Sequence, residues 1–128
     1  MGLFDGMTLG DGEAMRAVKA YLEAQANKDF SKAATFFAED VRFDGLVLKA
    51  RGRETVAREM ETFIRAAIDW IRVEAVAEVE PGARVLALTF FKLKPAAEPQ
   101  ALCDHLWLSG GLITRVENVF DVRKLPPM

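Results

Sequence analysis

The chain has 128 residues, 51% of them hydrophobic and 28% charged, and a formal net charge of −2. That is the size of one domain with a real core; the charge argues against a nucleic-acid or anionic-membrane surface, and no apolar run is long enough to span a bilayer. Cys103 is the single cysteine and His105 the single histidine, which excludes an intrachain disulfide, leaves no metal-ligand spacing, and points to a reducing cytoplasm.

Met1 to Gly10 carries Gly2, Gly6 and Gly10 and reads as a loose lead-in. It lacks the basic-then-apolar pattern of a secretory signal, and Gly6 stands where a myristoylation signal needs Ser or Thr. A helix begins near Asp11, with Asp11 as its cap. Ala14, Val18, Tyr21, Leu22 and Gln25 follow helical spacing, so the Tyr21 phenol lies on or beside the buried stripe. Asn27-Lys28 ends this helix. Asp29 caps a second, short one, whose Phe30, Ala33, Ala34 and Phe37 point one way.

Glu39-Asp40 opens a strand with Val41, Phe43 and Gly45 on one parity and Arg42 and Asp44 on the other. Leu46 to Leu48 continues it or turns back. Gly52 starts a third helix, whose apolar stripe is Val56, Met60, Phe63, Ile64 and Ala67. Arg53, Glu54, Arg58, Glu61 and Arg65 fall on its solvated side. The remainder reads as strand. Ile71, Val73, Ala75, Ala77 and Val79 alternate with polar residues, Glu80 to Ala83 turns, and Val85 to Phe91 is apolar on both faces, as in a central strand covered on both sides. Pro95 to Gln100 connects to a closing hairpin, Ala101 to Val122, turning at Gly110-Gly111.

Leu102, Leu106 and Leu108 share one parity of that hairpin, and Asp104 sits among them. A carboxylate facing an apolar wall is costly unless it is paired or keeps its proton. One reading is an acid of raised pKa that donates to an oxyanion or shuttles a proton; the other is a buried Asp paired with Tyr21 or an arginine. His105, Cys103 and Trp107 have the opposite parity and face the outer side of the sheet. Helices come first and antiparallel strands last, an α+β arrangement with helices on one sheet face. A curved sheet of this kind closes a pocket against its helices.

Tyr21-Leu22-Glu23-Ala24, Phe36-Phe37-Ala38-Glu39-Asp40, Gly52-Arg53-Glu54-Thr55-Val56 and the segment from Gly111-Leu112-Ile113-Thr114 to Phe120-Asp121 resemble the NTF2-like superfamily. That superfamily includes ketosteroid isomerases, limonene-epoxide hydrolases and polyketide cyclases of the SnoaL type. The resemblance covers roughly Met15 to Leu125. It implies a single domain over residues 1–128, a cystatin-like cone with three N-terminal helices on a strongly curved, mostly antiparallel sheet enclosing a pocket. Likeness to the isomerases implies that Tyr21 and a protonated Asp104 form an oxyanion hole, with an aspartate of the first strand as base. Gly45 occupies that base position in the simplest register; a bulge at Asp44-Gly45 brings Asp44 there instead. The hydrolases use an Asp, Arg and Asp arrangement. Asn118-Val119-Phe120-Asp121-Val122-Arg123 looks like their closing strand, yet Asn118 stands where the second aspartate is expected, and Val85 to Lys92 holds no arginine-x-aspartate pair.

The resulting expectation is a cofactor-free enzyme moving a proton on an apolar ketone or polyketide-like molecule. Tyr21, Asp104 and Asp44 are its catalytic candidates; Phe43, Met60, Leu102, Leu106, Asn118 and Phe120 are its substrate contacts. An epoxide hydrolase or a non-catalytic binding protein are the alternatives. The fold commonly dimerises through its outer sheet face, which implies a homodimer through Cys103, His105 and Trp107.

Overall fold

The structure, a computed structural model, describes residues 2–45, 48–94 and 98–119. Helices α1 (Glu13–Ala26) and α2 (Phe30–Ala34) lead into strand β1 (Phe37–Asp44), then β2 (Lys49–Arg51), α3 (Arg53–Ala67), β3 (Ile68–Glu80), β4 (Arg84–Leu93), β5 (Gln100–Ser109) and β6 (Leu112–Val119). The six strands form one sheet in the order β2-β1-β6-β5-β4-β3. It is mixed: β1 runs parallel to β6, while the other neighbours are antiparallel. This is an α+β fold with a curved mixed sheet, open at β2 and β3.

The third helix matches its sequence pattern. Val56, Met60 and Ile64 are buried, and Phe63 and Ala67 pack against the core. Gly52 precedes it at φ 93°, a backbone angle that glycine adopts without a Cβ penalty, and its N–H donates to the Val41 carbonyl at 2.8 Å. Asp29 caps α2 by accepting from the Lys32 N–H at 3.3 Å.

Several local expectations change. Gly12, not Asp11, precedes α1, with no side-chain cap bond; Asp11 offers only its carbonyl, to the Arg16 guanidinium. Phe37 opens β1 rather than ending α2, and it is fully buried. Residues 2–10 do not stand off the domain, because Leu3, Phe4, Met7 and Leu9 pack against the core. Strand β3 does not alternate simply. Its pairing with β4 shifts between Ile68 and Trp70, between Val73 and Ala75, and between Glu78 and Glu80. Each shift is a bulge that bends the strand and resets its parity, so Val73 is buried while Ala75 is exposed.

The helices cover one face: α1 packs on β3 and β4, and α3 on β1, β2 and β3. Leu22, Phe37, Leu106 and Ile113 are fully buried between the layers, each contributing roughly 1.5–3 kcal/mol over exposure. Strand β4 is therefore covered on one side only. Val85, Ala87 and Phe91 are buried, while Leu88 on the opposite parity is 38% exposed. No helix among the described residues is long and apolar enough to cross a membrane.

Candidate active site

The β5–β6 turn sets what faces the helices. Gly110 and Gly111 have φ of 57° and 78°, the two successive positive angles of a tight hairpin that matches strand twist. The resulting register places Asp104 directly opposite Asn118. Ala87 is its neighbour on β4. Asp104 is 4% exposed. The Asn118 Nδ2 donates to its Oδ1, and among the described residues no other donor to this carboxyl is present. Burial pushes the Asp104 carboxyl from 3.8 up to about 7, with the Asn118 bond pulling the other way. A carboxyl so placed exchanges its proton near neutral pH.

Asp104 lines a cavity of about 80 Å³ between the sheet and α3. Thr89 and Asn118 are also in its lining, and the strand neighbours Leu106, Val116 and Ala87 are fully buried. The Thr89 hydroxyl donates to the Leu102 carbonyl at 3.3 Å. Met60, Phe63 and Ile64 form the α3 wall. Phe43 and Leu48 close one side, and Ile68, Ile71, Phe91 and Leu102 the other. Gln25 reaches in from α1. No lysine, arginine or histidine is among these lining residues, so Asp104 is their one ionisable group.

Tyr21 lies behind this wall. Its hydroxyl donates to the Met60 Sδ at 3.5 Å and accepts from the Gln25 Nε2 at 3.4 Å. Gln25 also donates to the Met60 Sδ at 3.4 Å. Burial, followed by the nearby Asp104 charge, raises the phenol well above its ordinary pKa, against a smaller lowering by Gln25. Tyr21 therefore stays protonated and electrostatically coupled to Asp104, and its hydrogen bonds go to Gln25 and Met60.

Asp44 goes elsewhere. Its carboxylate meets the Arg115 Nε at 3.1 Å and the Arg42 guanidinium at 3.5 Å, on the parity opposite the inward Val41 and Phe43. No bulge turns it inward, since Asp44 pairs in register with both Lys49 and Glu117. Its expected place as a pocket base is thus corrected: two arginines hold it on the outer face. Leu106 is also corrected, being fully buried core beneath the cavity. Phe43, Met60, Leu102 and Asn118 line the cavity; Phe120 lies outside the described residues. Gln25 and Thr89 were not singled out from sequence. Both carried a signal: Gln25 is a polar residue one turn after Tyr21 on the same stripe, and Thr89 is the lone hydroxyl in the apolar Val85–Phe91 run.

On the outer face, His105 stacks on Trp107 with ring centroids 3.6 Å apart, and the Arg115 guanidinium covers Trp107 at 4.7 Å. Burial, then the Arg84 charge, lowers the His105 pKa, while Glu117 partly offsets this. Among the described residues, no group of three metal-capable side chains is present.

A family description, the SnoaL-like domain, matches residues 18–116. No curated protein matches the sequence. Among solved structures, an LEH-like epoxide hydrolase from M. tuberculosis is 23% identical with a TM-score of 0.71, over 87% of this chain and 84% of that one. A proposed ketosteroid isomerase from Kribbella flavida DSM 17836 is 18% identical with a TM-score of 0.74, over 91% and 83%. A de novo designed protein with a curved β-sheet is 15% identical with the same TM-score, 0.74, over 90% of each chain. A designed scaffold fits as well as the natural proteins, so this likeness carries the fold and leaves the chemistry to the site.

Proposed function

The chain belongs to the SnoaL-like domain family, and from that premise we propose that it is a cofactor-independent enzyme moving a proton on an apolar carbonyl compound held between sheet and helices. The observation that carries this reading is Asp104, a buried carboxyl of pKa about 7 in an apolar cavity. In its ionised form it takes a proton from the carbon beside a carbonyl; in its protonated form it returns that proton to a neighbouring carbon. The enolate oxygen formed between these steps is served by the Gln25 amide of the cavity lining, with the neutral Tyr21 hydroxyl bonded to that amide from behind the wall. With Asp44 bound to arginine, one carboxyl both removes and restores the proton.

Epoxide hydrolysis is less well supported. It calls for a second proton acceptor and an arginine; among the described residues the cavity offers Asn118, whose amide takes no proton from water at neutral pH, and no arginine. The reading also includes a homodimer through the outer sheet face of Cys103, His105 and Trp107. Leu88 and Val119, 38% and 60% exposed, extend this apolar face, and the buried His105 Nε2 has no hydrogen-bond partner within the described chain.

The test is hydrogen–deuterium exchange beside the carbonyl of small cyclic ketones, followed by NMR in D2O. Exchange above the buffer rate, reduced about 10²–10⁴-fold in Asp104→Asn, supports proton transfer. A ketone that binds but exchanges no faster than in buffer makes the cavity a passive binding site.

A further inference from the structure

We infer that the cavity takes a compact, uncharged, single-ring carbonyl compound, and excludes both fused polycycles and carboxylates. The inference rests on the proposed carbonyl chemistry of the same site and narrows it by size and charge. The size argument is volumetric. A cavity of about 80 Å³ lies below the roughly 300–1,000 Å³ of pockets that take drug-sized ligands. It is also smaller than the ~150 Å³ apolar cavity that accepts benzene. One ring fits only as Met60 or Phe63, both on α3, gives way; several fused rings do not.

The charge argument follows from the lining. A carboxylate ligand would lie beside Asp104 with no cationic side chain among the described lining residues to pair it, and a buried unpaired anion is expensive. A neutral carbonyl needs one donor, and the Gln25 amide in the lining can supply it. The elements around Asp104 add little charge of their own. Tyr21 from α1 is the titratable group facing it; α3 offers Met60, Phe63 and Ile64, β4 offers Ala87 and Thr89, and β6 offers Asn118. Cys103, its chain neighbour, points to the other face and has its own pKa raised by burial and by Asp104.

Seating a neutral ring displaces water from beside Asp104 and so favours its protonated form, whereas an amine would favour the carboxylate. The two respond to pH with opposite sign, and ligand-observed NMR separates them. The probes are cyclohexanone, cyclohexylamine, cyclohexanecarboxylate and a four-ring ketone, each at pH 6 and pH 8. Cyclohexanone should bind, up to about 10-fold more tightly at pH 6 than at pH 8, because Asp104 titrates at about 7 between them. In Asp104→Asn its binding should persist, since the amide is also uncharged, and lose its pH dependence. Met60→Ala, which enlarges the cavity toward the ~150 Å³ that accepts benzene, should tighten cyclohexanone binding and still reject the four-ring ketone. Preference for the carboxylate, for the amine with affinity rising with pH, or for the four-ring ketone in the parent chain overturns the inference. Binding of cyclohexanone without carbon exchange leaves this inference standing and removes only the proposed catalysis. Exchange confined to large or charged ketones does the reverse.

Discussion

Asp104 carries a thermodynamic signature that a solvent-exposed acid lacks. Its pKa rises from 3.8 to about 7 on folding. Between those values the folded chain holds a proton that the unfolded chain has released. Stability therefore falls as pH rises through this window, by on the order of 4 kcal/mol in all, and the slope from this group ends above about 7. Asp104→Asn should remove that slope, so thermal unfolding at pH 8 should occur at a higher temperature than for the parent chain. At pH 4 the two should nearly coincide. Equal melting temperatures at both pH values would mean that the carboxyl is hydrated in the folded chain. The same residue was legible in the sequence because its parity set an acid among leucines, a local contradiction that strand alternation exposes. The fate of Asp44 was not legible. Its partner Arg115 is 71 positions away, brought near by a parallel pairing of β1 with β6 that no local pattern announces.

The β1–β2 hairpin shows how an element shapes a site through more than the side chains it lends to the wall. Gly45 accepts no side chain: a Cβ there would stand 2.8 Å from the Leu48 carbonyl oxygen and 2.9 Å from the Asn118 Oδ1. Its N–H also closes the turn by donating to the Leu48 carbonyl at 2.7 Å. Gly45→Ala should destabilise the fold by about 1–3 kcal/mol and push Asn118 off Asp104. Because the Asn118 bond lowers the Asp104 pKa, its loss should move that titration upward, read directly by carboxyl ¹³C NMR. An unchanged midpoint in the variant would separate the hairpin from the acid. Sequence periodicity found α3 because its Val56, Met60 and Ile64 stripe is a local property. It failed at Phe37 for the converse reason, since an aromatic four residues after Ala33 fits a helical stripe as well as a strand start. Tertiary pairing decided there: the neighbouring Phe36 carbonyl accepts from the Ile113 N–H at 2.7 Å. The bulges of β3 were likewise invisible, because a bulge is defined by what the partner strand does.

At the scale of the molecule the two sheet faces differ in what completes them. The inner face has its helices; the outer face presents Trp70, Phe90 and Trp107, with Arg72 over both Trp70 and Phe90 at 5.7 and 5.3 Å. If a second copy covers this face, sedimentation should give twice the 14.2 kDa chain mass. Leu88→Glu should then return it to the monomer mass with the fold intact by circular dichroism, since a buried unpaired charge opposes association. A parent chain that sediments as a monomer at all concentrations rejects the dimer. Strand order carries one more consequence. In the described sheet, β6 is the sole link between the β1–β2 ribbon and the β3–β4–β5 meander, and it also supplies Asn118. A nascent chain thus leaves the ribosome with its β1–β2 ribbon joined to no further strand until β6 has been made. Only when β6 threads between them do the ribbon and the meander, and the acid with its amide, meet for the first time.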